Sequence, residues 1–136
     1  MPTRFDAVGA TTQSRYKNVF TAAAIYDGVL GAAFFLFAGA IYRLLAIALP
    51  ENTGYLELCA AFVFAQGVGY WYVSRNMVRN VDLVKVGLIC KVAYSAVAAY
   101  YLAIGQLPHM IFAVFGVIDL LFAVAFARFL ALARPT

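Results

Sequence analysis

Met110-IFAVFGVIDLLFAVAF-Ala127 is an apolar run broken by a single ionisable residue, Asp119. An α-helix needs about 20 such residues to cross the hydrocarbon of a bilayer, and this run with its flanks supplies them. Working outward, the pattern repeats. Apolar spans lie at about Val19 to Leu45, Leu56 to Tyr72, Val84 to Ile104 and Met110 to Ala131. Each carries one polar or ionisable residue near mid-depth: Asp27, Gln66, Lys91 and Asp119.

Composition points the same way. With 65% apolar residues, 12% charged residues and a mean hydropathy of +0.88, the chain lies far from the soluble average and reads as an integral membrane protein. Its 136 residues hold four spans with short connections and leave no room for a separate soluble domain. The expected organisation is a tail over residues 1–17 and one transmembrane domain over 18–134. Turn formers mark the connections at Leu49-Pro50-Glu51-Asn52-Thr53-Gly54, at Ser74 to Asn80 and at Gly105-Gln106-Leu107-Pro108-His109. Connections this short predict an all-α, four-helix bundle with antiparallel, up-down-up-down neighbours.

Basic residues set the orientation. Arg4, Arg15 and Lys17 precede the first span, Arg75, Arg79 and Lys85 flank the second connection, and Arg128 and Arg134 close the fourth span. The opposite side offers only Arg43, accompanied by Glu51 and Glu57. The positive-inside rule puts both termini in the cytoplasm. The net charge of +4 then reflects contact with anionic lipid headgroups, and nucleic acid is a poor match for it. The first seventeen residues are polar and the run after them is longer than a signal core, so the first span is expected to stay in the mature protein. The tail itself reads equally well as a short interfacial helix or as a disordered segment.

Translocon scales put an Asp or Lys at a helix centre at roughly +2.5 to +3.5 kcal/mol, so Asp27, Lys91 and Asp119 are expected to face one another instead of lipid. Gln66 reaches a similar depth, and Tyr26, Tyr70 and Tyr94 supply phenolic groups beside it. Two carboxylates and one ammonium leave a negative charge over. Either one carboxyl carries a proton, or a cation or cationic ligand completes the site. The plainer reading is a fixed clasp that holds helix register.

Other candidates carry less. Arg43 and Glu57 lie at comparable depth across a tight connection and are read as a structural outer-face ion pair. His109 stands alone in a turn, with no further ligands clustered beside it, so no metal and no cofactor is expected. Cys59 and Cys90 sit at different depths, form no C-x-x-C pair and are not expected to join in a disulfide. Small residues recur at Ala61, Ala65 and Gly69, at Ser95 and Ala99, and at Gly28 and Ala32, spacings that favour close helix contact.

Tyr26-Asp27-Gly28-Val29-Leu30-Gly31, Gly67-Val68-Gly69-Tyr70 running to Ser74-Arg75-Asn76, the Gly105-Gln106-Leu107-Pro108 turn and the helix around Asp119 resemble the small bacterial four-helix membrane proteins grouped with the DoxX-like superfamily. The resemblance covers about residues 20 to 132. It implies a four-helix bundle, in a group where some members are accessory subunits of membrane oxidoreductases, and it carries over no catalytic residue.

Three functions fit these readings. The first is a non-catalytic accessory or assembly subunit with a protein partner or a second copy of itself. The second is a small oligomeric binding or transport protein that uses Asp27, Lys91 and Asp119 for a proton, a cation or an amphipathic ligand. The third is a lipid- or quinone-directed enzyme with the two carboxyls as acid and base; it ranks last because the carboxyls are deep and no headgroup-binding residues accompany them.

Overall fold

The computed structural model describes residues 3–134. Four helices account for most of them: α1 (Ala10–Leu44), α2 (Gly54–Arg75), α3 (Val81–Ala103) and α4 (Met110–Leu132), with no strand of two or more residues among the described residues. Three of these, α1, α2 and α4, are long and apolar enough to cross a membrane. Helix α1 starts well before the apolar run, so the polar residues 10–18 extend it beyond the span. It is broken once, at Phe37 (φ −128°, ψ 23°), close to Gly39.

Helix α1 packs chiefly on α2, and α3 on α4, while α2–α3 and α1–α4 meet more sparingly. The first pair approaches backbone to backbone. A Cβ on Gly31 would meet the Phe64 backbone and, at 2.8 Å, the Ala60 carbonyl; one on Gly67 would meet Gly28 N at 2.5 Å. Only glycine allows this approach. The small-residue row that seals α1 to α2 is thus Ala60 and Gly67, not the row expected to make helix contact: Ala61 and Ala65 are exposed, and nothing lies within 4 Å of a Cβ built on Gly69. The second pair is tied by Ser95, whose hydroxyl donates toward the Gly116 carbonyl (2.8 Å) and the Lys91 carbonyl (2.9 Å). Ala98 is buried against Gly116, and Ala99 is exposed.

Both pairs turn by the same device. Helix α1 closes with Ala46 in the left-handed region (φ 55°) and Ile47 N–H donating to the Tyr42 carbonyl at 2.9 Å. Helix α3 closes with Gly105 (φ 69°) and Gln106 N–H donating to the Tyr101 carbonyl, also at 2.9 Å.

One end of the bundle is filled with rings. Phe20, Tyr70, Phe126 and Phe129, none more than 2% exposed, pack with Val73 and Val84, drawing on all four helices. Phe5 joins them edge-on to Phe129 and Tyr16, and Arg4 N–H donates to the Arg134 carbonyl (3.2 Å), which brings the two ends of the chain together. The short turn that carries Phe5 is held by Asp6, which accepts from Thr3 N (2.7 Å) and Thr3 Oγ1 (2.8 Å); these bonds hold its carboxyl below the usual range.

Candidate functional site

Asp27 on α1, Lys91 on α3 and Asp119 on α4 meet inside the bundle. Lys91 Nζ donates to Asp27 Oδ1 (2.7 Å), Asp27 Oδ2 (2.9 Å) and Asp119 Oδ1 (2.7 Å). The ammonium is thus paired with two carboxylates at once, both oxygens of Asp27 on one side and one oxygen of Asp119 on another. The group is sealed, with Asp27 and Lys91 2% exposed and Asp119 7%. Three rings surround the ammonium: Tyr26 at 5.3 Å, and Tyr70 and Phe122 each at 5.6 Å to the ring centroid. Their faces add to the attraction in this dry setting.

Local sequence explains the convergence. Gly87, one turn before Lys91 on α3, leaves room for the Tyr70 ring of α2, since a Cβ there would lie 2.5 Å from Tyr70 Cε1. Ser95, one turn beyond Lys91, fixes α3 to α4 at Gly116, three residues before Asp119. The close α1–α2 contact at Gly31 and Gly67 brackets Asp27. Each charge is therefore positioned by an adjacent small residue.

The remaining candidates fall at different distances from this centre. Gln66 lines the cavity beside it, and its Oε1 lies 3.5 Å from Tyr70 Oη, at the limit of a hydrogen bond. Tyr94 lines the same cavity but donates its hydroxyl to the Phe112 carbonyl on α4 (3.3 Å), not to a carboxylate. Tyr26 Oη is buried with no hydrogen-bond partner among the described residues. The ion pair expected between Arg43 and Glu57 is not formed among the described residues: both side chains are exposed, where solvation competes well with pairing. His109 has a local task, its Nδ1 accepting from Ile111 N–H (3.1 Å) to cap α4. Among the described residues no group of three or more His, Cys, Asp or Glu could hold a metal ion, and both cysteines are free.

Sequence reasoning named Tyr26, Tyr70 and Tyr94 as hydrogen-bonding groups and left Phe122 out. Tyr26, Tyr70 and Phe122 instead present ring faces to Lys91. The signal was available: Phe122 lies three residues past Asp119, on the same helical face.

Comparison with protein-family models, with curated proteins and with solved structures gave no match. Fold and site alone define the class: an all-α protein with three helices capable of crossing a membrane and a buried carboxylate–ammonium–carboxylate cluster.

Proposed function

We propose that the chain is a non-catalytic, four-span membrane protein serving as an accessory or assembly subunit, with the Lys91 cluster as the clasp between its two helical pairs. The observation that carries this reading is the double ion pairing of buried Lys91: held between the carboxylates of Asp27 and Asp119, its amine is withdrawn from work as nucleophile or base. The spans run up-down-up-down with both termini on the cytoplasmic side of a bacterial inner membrane. Support for the alternation comes from the pairing of Gly31 with Phe64 and of Gly28 with Gly67, where one number falls as the other rises. The Arg4–Arg134 contact supports a shared side for the termini, and the excess of Lys and Arg supports the cytoplasm as that side.

Helix α3 is the fourth span. Over its whole length it is at least as apolar as α2, which is long and apolar enough to cross a membrane. The residue that most lowers the apolarity of its interior, Lys91, is neutralised inside the bundle. A partner finds a ready surface on α2, where Ala61, Ala65 and Gly69 remain uncovered and allow another helix to come close.

Native mass spectrometry of the protein extracted gently from its own membrane tests the reading. A larger membrane protein held at fixed stoichiometry is the expected result. A bare monomer, under conditions that keep other complexes whole, overturns it.

A further inference from the structure

The clasp leaves three things unused. Asp119 accepts from Lys91 through Oδ1 alone, and among the described residues nothing donates to its Oδ2, although the residue is 7% exposed. Tyr26 Oη is buried and, among the described residues, unpartnered. The two carboxyls also outnumber the one ammonium, so that with all three ionised a negative charge is left in a place that disfavours it.

Asp27, Lys91 and Asp119 border one small cavity of about 60 Å³, which Tyr26 and Gln66 also line. That space is ample for a water-sized polar group, which needs roughly 10–15 Å³. Leu30, Val63, Tyr94 and Phe115 are walls it shares with a second cavity of about 150 Å³, a partly open trough that Phe34 and Phe112 help to line and that presents almost no polar surface. A polar seat with surplus negative charge thus adjoins an apolar trough.

We propose that this pair of cavities binds an amphipathic primary amine, the ammonium seated at Asp119 Oδ2 and the hydrocarbon lying in the trough. The seat offers acceptors to N–H donors in Asp119 Oδ2 and Gln66 Oε1. An ammonium brings the cluster to neutrality, an alcohol leaves the charge standing, and a carboxylate adds to it. A trimethylammonium head lacks the donors. The binding does not depend on the accessory-subunit reading, since every group involved belongs to this one chain.

The test is titration of the full chain, held in phosphatidylcholine nanodiscs, with hexylamine, hexanol and hexyltrimethylammonium, read by native mass spectrometry and calorimetry. Hexylamine is expected to bind once per chain and at least about tenfold more tightly than either analogue, the worth of one charge-assisted hydrogen bond. Asp119→Asn should remove that preference. Val63→Phe alters no charge and narrows the shared wall, so it should weaken hexylamine by a similar factor and keeps the test decisive if Asp119→Asn fails to fold. Equal binding of hexylamine and hexanol overturns the proposal, as does hexylamine binding that survives Val63→Phe unchanged. No binding of hexylamine at saturation overturns it too, and would leave a proton as the balancing charge.

Discussion

The contact between α1 and α2 and the seam between the two helical pairs are built on opposite principles. Within the first pair the backbones touch at Gly31 and Gly67 and the contact holds no charge. Across the seam the helices meet sparingly, and the chain places there the Lys91–Asp27 ion pair, with Asp119 holding Lys91 from within the second pair and three rings around the ammonium. In a bilayer, apolar helix faces gain little by leaving lipid, so association must come from close packing or from polar bonds. This molecule uses each means in a different place. The packed contact depends on the absence of side-chain atoms, and the charged one on three particular side chains being present together.

Removing the ammonium is the most direct way to break that contrast. Lys91→Met leaves two buried carboxyls facing each other, and a loss of about 3–5 kcal/mol is expected, the scale for orphaning one side of a buried ion pair. Equilibrium unfolding in mixed micelles measures it. Combining Lys91→Met with Asp27→Asn and Asp119→Asn should restore much of the loss, because no uncompensated charge remains; a triple variant as unstable as the single one would show that rings and shape, not charge, hold the seam.

The packed contact is tested by Gly31→Val. Its side chain would collide with the Phe64 backbone, and a cost of about 1–3 kcal/mol is expected from overpacking. Gly69→Ala sharpens the result, since open space surrounds that position and no loss is expected there. Equal losses at the two sites would remove the distinction between inward and outward small residues.

The smallest effects belong to the turns that end α1 and α3. Ala46 carries a side chain in the left-handed region, where an L-residue costs about 1 kcal/mol, so Ala46→Gly should stabilise by up to that amount and Gly105→Ala should destabilise by a similar one. Thermal unfolding of both variants checks the sign. A change of the same sign in both would mean that turn conformation does not limit either pair.

Much of this was legible in the chain because burying a charge inside an apolar span is costly, so Asp27, Lys91 and Asp119 had to find each other. The helices followed from apolar length. Small residues were harder to assign. Ala60 and Gly67 differ by one or two positions from Ala61, Ala65 and Gly69, yet each step along a helix turns the face by about 100°, and nothing in the spacing says which row points inward. The start of α1 was hidden for a different reason: Thr11 to Asn18 are polar, and hydropathy sees the span, not the helix that continues past it. The seat of Phe5 against Phe129 and Tyr16 is a long-range contact of a single ring, with no local pattern to announce it.

Asp27 and Lys91 are separated by 64 positions in the chain. A ribosome adding roughly 5–20 residues each second needs several seconds to cover that distance. During synthesis the carboxyl therefore exists well before the amine that will neutralise it, and Asp119 comes later still. Until the second pair is made, Asp27 lacks its ion-pair partner and meets the interval either with a proton on its carboxyl or within reach of water. The order in which the ribosome delivers these three residues makes the charge cluster a timing requirement as well as a bond.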